Sequence, residues 1–179
     1  SAESSGPFRS VTAFSPSQEE YYTDSLWVKR DGTLKPVYYA HKAFNALADT
    51  VALSQKGSDF QTFGVSAGRS KDSQSLVIVI SHYDPNAYLA TYGGSYELLP
   101  GASPISDSIP DLKRYTSYKI QIKNLPWTQE DALVLERYVI DDQRRFELEE
   151  ISEFRGNVKI LIARDIAMPS VQLIKLYRK

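Results

Sequence analysis

The chain has 179 residues, 20.2 kDa and 42% hydrophobic residues, enough for one domain that buries roughly 70% of its unfolded surface. Its 21 Lys+Arg against 22 Asp+Glu leave a formal net charge of -1, without the basic excess through which nucleic-acid binders neutralise phosphate. With no cysteine, disulfides, zinc–thiolate sites, iron–sulfur clusters and thiol nucleophiles are excluded, and the longest apolar run, Leu76 to Ile80, falls far short of the roughly 18 residues a membrane span needs.

The opening Ser1-Ala2-Glu3-Ser4-Ser5-Gly6 reads as a cut end, so an excised domain is expected; removal of an initiator Met before a small residue gives the same appearance. The compartment stays open, since a cysteine-free chain suits either redox environment, with a secreted or periplasmic setting favoured over the cytoplasm. Residues 1–22 mix Ser, Pro and Gly around one short alternation, Val11 to Phe14. Ser25 to Arg30 is strand-like and ends in the turn Asp31-Gly32.

At Pro36, suited to a first helical turn, the period changes. Val37, Ala40, Phe44, Leu47 and Val51 fall at steps of three and four, predicting a helix from Lys35 to about Gln55, closed by Gly57. Strand patterns follow at Phe60–Ala67, Ser75–His82, Tyr118–Lys123, Leu133–Ile140, Val158–Ala163 and Val171–Tyr177. Gly64 marks a bulge or a close backbone approach. At least six strands with short connections predict a mainly β fold, an antiparallel β-sandwich with one packed amphipathic helix. Leu76 to Ile80 leaves no polar face, so that strand is covered on both sides; the helix is one available cover, another domain the alternative.

Polar chemistry is sparse. His41 lies beside the helical stripe and reads as a surface or interface side chain. His82 ends a strand next to Asp84; the two could form a small hydrolase's catalytic pair or part of a metal site, though one His with one carboxylate is a thin ligand set. The dipeptides Glu19-Glu20, Asp141-Asp142 and Glu149-Glu150, with Glu153, do not read as glycosidase pairs, because adjacent strand residues point to opposite faces. Asp141 to Arg145 reads as a charged turn. No nucleotide, phosphate-loop or zinc-protease motif occurs. No catalytic residue, metal site or cofactor is therefore assigned.

Aromatics are the remaining signal. Trp27, Tyr38 and Tyr39 crowd the helix start and, with Phe44, are expected at a domain interface. A loop of about thirty residues between Tyr83 and Tyr115 carries Tyr88, Tyr92 and Tyr96 at four-residue spacing; loops of this length are usually functional or disordered. Those tyrosines suit sugar stacking or a half-buried interface equally.

The run Asp31-Gly32-Thr33-Leu34-Lys35-Pro36-Val37-Tyr38-Tyr39-Ala40, continuing into an apolar helix, resembles the end of the catalytic barrel in clan A glycoside hydrolases. Family 39, the β-xylosidase and α-L-iduronidase group, is the best match. Tyr118 to Pro126, Arg137 to Asp141 and Met168 to Leu176 are similar to strands of the β-sandwich that follows that barrel. The resemblance implies that residues 1–56 are a lead-in and last barrel helix, and 57–179 a non-catalytic accessory sandwich, the two forming one structural unit. Family 39 carries its acid/base on an Asn-Glu dipeptide, which this chain lacks, so no catalytic residue carries over. The implied partner is the (β/α)8 barrel of a retaining β-xylosidase-like parent. An oligo- or polysaccharide and a second copy are further candidates, and neither nucleic acid nor a membrane span is expected. A free-standing carbohydrate-binding module, and the small hydrolase using His82 and Asp84, remain as alternatives.

Overall fold

The structure, a computed structural model, describes residues 32–59, 62–83, 114–141, 143–157 and 159–179. The expected strands near Val11 and Ser25, together with Trp27, Asp84, Tyr88, Tyr92 and Tyr96, lie outside them.

Helix α1 runs Pro36–Asn45, with Lys35 in extended conformation before it and Pro36 in its first turn. Its end corrects the sequence reading, which carried the helix on to about Gln55. Residues 46–49 form a turn, and Thr50–Ala52 is strand β1. The physical reason is local: Thr50 donates both its backbone N–H and its hydroxyl to the Leu47 carbonyl, at 3.1 and 2.8 Å, and β-branched Thr50 and Val51 favour extended backbone. Val51, the supposed last member of the buried stripe, is 49% exposed. Gly57 has φ +105° but belongs to the loop before β2, not to the helix end.

Strands β2 (Phe63–Ser70), β3 (Ser75–His82), β4 (Ser117–Lys123), β5 (Ala132–Ile140), β6 (Arg145–Arg155), β7 (Lys159–Asp165) and β8 (Ser170–Arg178) follow. To the six strands read from the sequence the structure adds β1 and the highly charged β6. Among the described residues every strand pairing is antiparallel, giving a six-stranded sheet in the order β1-β2-β3-β8-β5-β6 and a two-stranded sheet β4-β7. Gly64 is a close approach rather than a bulge. Its register with Ser81 is unbroken, and a Cβ there would lie 2.8 Å from the Ser81 hydroxyl.

Strand β3 explains the layering. Leu76, Ile78 and Ile80 point into one core with Leu133, Leu135, Ile174 and Leu176 of the large sheet and Tyr118, Ile160 and Ile162 of the small one. Val77 and Val79 point the other way, joining Leu173, Ile140 and the fully buried Ala43 of α1. The apolar run is thus covered on both faces, by the small sheet and by the helix. The charged turn also stands: the Asp141 carboxylate accepts the N–H groups of Gln143 and Arg144 at 3.0 and 2.7 Å, closing the β5–β6 hairpin.

Candidate functional site

Helix α1 is apolar on two sides. Tyr39, Ala43, Phe44 and Leu47 contribute to the outer core. Val37, Ala40, His41, Phe44, Asn45 and Ala48 line a hollow of about 480 Å³. Val37 and Ala40 are a helical step apart and Ala48 continues their side in the turn after α1, so part of the stripe read from the sequence as the buried face borders this hollow, while Phe44 reaches both the hollow and the core. A ten-residue surface helix needs one apolar stripe, and a second is what a helix packed on both sides carries. Of the expected interface residues, Tyr38 is 38% exposed and meets Tyr39 edge-on at 5.3 Å, whereas Tyr39 and Phe44 reach the domain's own core.

His82 is 1% exposed, at the end of β3. Its Nε2 accepts the Tyr115 N–H at 3.3 Å, so its Nδ1 carries the proton and donates to the Ala167 carbonyl at 3.2 Å. Phe63 and Tyr115 pack around the ring at 6.2 and 5.8 Å between centroids. Both nitrogens are engaged in joining three segments, and the geometry is that of a structural clip.

The carboxylates named from the sequence are similarly occupied where they are described. Glu150 on β6 takes a two-pronged bond from Arg164 on β7, through Nε at 2.6 Å and through Nη2, and further bonds from Ser152 at 2.9 Å and Arg137 at 3.3 Å. The Arg164 guanidinium holds its carboxyl down at about 2, overcoming the upward push of burial. Behind it the Tyr118 hydroxyl donates to Gln172 Oε1 at 2.7 Å, and Gln172 Nε2 donates to the Asp165 carbonyl at 3.0 Å. Burial pushes the Tyr118 phenol up to about 12. Asp141 meets Arg144 at 2.5 Å, Glu149 meets Arg144 at 2.6 Å and Glu153 meets Lys179 at 2.8 Å. Burial works to raise the Asp141 carboxyl, but its bonds from Arg144 and Gln143 prevail and hold it below the usual range. These groups brace the sandwich and are already neutralised by their partners. Among the described residues no three His, Asp or Glu side chains gather as a metal site, and no helix is long and apolar enough to cross a membrane.

Sequence reasoning missed the inter-sheet network because nothing local announces it. Glu150, Arg137 and Arg164 meet only once β5 pairs with β6 and the small sheet stacks on the large one. The outward stripe of α1 was visible as periodicity but not as a second face.

No protein-family model matches the chain, and no curated protein does. Solved structures share its fold. A glucosidase from Croceicoccus marinus is similar over 85% of this chain and 33% of its own, with TM-score 0.67 and 23% identity. The GH39 enzyme from Xanthomonas axonopodis pv. citri is similar over 84% and 31%, with TM-score 0.52 and 13% identity. The chain therefore spans about a third of the length of these glycoside hydrolases.

Proposed function

We propose that this chain is the C-terminal, non-catalytic accessory domain of a glycoside hydrolase, seated against the catalytic barrel through the outward face of α1. The observation that carries the reading is the outward apolar face made by Val37 and Ala40 of α1 and by Ala48 in the turn after it, which borders a hollow and is not part of the domain's own core. Support also comes from the fold likeness, in which most of this chain corresponds to a third of a larger enzyme. Family 39 is the favoured parent, on the Lys35-Pro36-Val37-Tyr38-Tyr39-Ala40 run and the later strand similarities; on that reading the parent is a retaining enzyme of β-xylosidase type. The saccharide-facing role of Tyr88, Tyr92 and Tyr96 belongs to the same proposal as a loop lent to the sugar cleft. The His82 hydrolase is disfavoured, because its ring has no nitrogen left to act as base.

Reading the gene ahead of the Ser1 codon tests the proposal. A continuous barrel-length frame containing an Asn-Glu dipeptide is the expected result. A stop codon close ahead of a start for this chain alone, or turnover of an aryl xyloside by the purified chain, would refute it.

A further inference from the structure

Among the described residues, strand β4 has one neighbour. It pairs with β7 in a two-stranded sheet, and its other edge borders a groove of about 960 Å³. Antiparallel geometry fixes which backbone groups face that groove. The Ile166 N–H donates to the Thr116 carbonyl at 2.9 Å, just before β4, so 116 and 166 form a hydrogen-bonded pair. Counting by twos along the register, Tyr118, Ile120 and Ile122 also turn their N–H and C=O groups to β7. Ser117, Lys119, Gln121 and Lys123 therefore turn theirs to the groove, which all four line. A row of unused backbone donors and acceptors of this kind is a template for another strand.

The surroundings specify the strand. The groove floor is core: Val65, Ala67, Leu76, Ile78, Ile120 and Ile122. Among the described residues no Asp or Glu lines it, whereas Lys56, Lys119 and Lys123 do. None of these three lysines has an ion-pair partner among the described residues, and Lys123 sits directly opposite Lys159 in the β4–β7 register, an unfavourable like-charge pair. The opposite wall is closed to pairing, because the segment before β2 already bonds to it. Leu53 N–H donates to the Ala67 carbonyl at 2.9 Å, and Asp59 N–H to the Phe63 carbonyl at 3.1 Å.

We infer that β4 is a receptor edge for an extended peptide that adds a third strand to the small sheet, with apolar residues on its core side alternating with acidic residues on its solvent side. Its backbone bonds to Ser117, Lys119, Gln121 and Lys123; its apolar residues lie over Ile120 and Ile122; its acidic residues meet Lys119 and Lys123. Exposed lysines repel basic strands and second copies of the same edge, so they select the acidic one. This inference stands on the edge geometry alone and holds whatever lies against α1.

The test is amide hydrogen exchange by NMR on the whole 179-residue chain, with a blocked seven-residue peptide alternating glutamate and valine, its lysine–valine counterpart, and a block-ordered peptide of the first composition. The expected result is exchange at least about tenfold slower at Lys119, Gln121 and Lys123 with the alternating acidic peptide alone, while Tyr118, Ile120 and Ile122, already bonded to β7, stay unchanged. Gln121→Pro, which removes a groove-side donor without touching the β4–β7 ladder, should abolish the effect. Unchanged exchange with the acidic peptide, or equal protection by the basic or block-ordered peptide, would overturn the inference. So would protection already complete without peptide, or protection that fades on dilution and so belongs to a second copy.

Discussion

Arg164 on β7 grips Glu150 on β6 with two guanidinium nitrogens, tying the last strand of the small sheet to the last strand of the large one. The Glu150 side chain is 20% exposed, so this pair is shielded enough to matter, unlike the open Lys179–Glu153 pair. Its sign with pH follows from the lowered carboxyl. The folded value of about 2 lies below the ordinary 4.5. The stabilisation is therefore complete above about pH 4.5 and is lost as pH falls towards 2, an effect on the order of 2–3 kcal/mol. Urea unfolding at pH 6, 4, 3 and 2 should show that decline, and Glu150→Gln should lower stability at pH 6 and flatten it. A variant curve parallel to wild type would contradict the assignment.

His82→Ala should cost about 2–4 kcal/mol, because it opens a cavity, orphans the Tyr115 N–H and leaves the Ala167 carbonyl to the Ser170 hydroxyl at 2.7 Å. Differential scanning calorimetry would read it as a lower Tm. His82→Gln, which can keep one of the two bonds, should recover part of the loss.

Gly156 holds its place by closeness. A Cβ there would stand 2.1 Å from the Thr128 carbonyl oxygen, with no flexible atom to give way. Gly156→Ala should displace the 128–131 turn and destabilise by about 1–3 kcal/mol, measured as a lower urea midpoint with altered Trp127 fluorescence.

Phe146 has φ +69°, a conformation a bulky residue rarely adopts. Its ring stacks on Tyr138 at 4.9 Å and takes Lys42 Nζ of α1 at 4.8 Å, so packing offsets the backbone strain. Phe146→Ala should loosen α1 from the sheet, seen as faster amide exchange at Ala43 and Phe44 than at β3.

The sequence made the layers legible where one residue type decided the face. Leu76 to Ile80 could only be a strand covered twice, and Tyr118 to Lys123 only a strand with one wet face. Strand β6 was illegible because its inward side includes Glu150 and Ser152, whose partners come from β7 and from within the strand, while Leu148 and Ile151 are 46% and 59% exposed. The extra residue at the Arg137/Tyr138 register shift further breaks its alternation. The helix was overextended for the converse reason: Leu47 and Val51 kept the helical period although Thr50 had already turned the chain. The outward stripe of α1 was present in the letters, but periodicity alone does not say which of two apolar faces a domain keeps for itself.

The central claim is that α1 offers its outward face to something other than its own sheet. Val37→Asp combined with Ala40→Asp places two charges in that hollow without touching Ala43. Urea unfolding of the chain should find the double variant within about 0.5 kcal/mol of wild type, while sedimentation with the separately produced catalytic barrel should show a complex for wild type and none for the variant. A variant that unfolds, or one that still holds the barrel, would contradict the account.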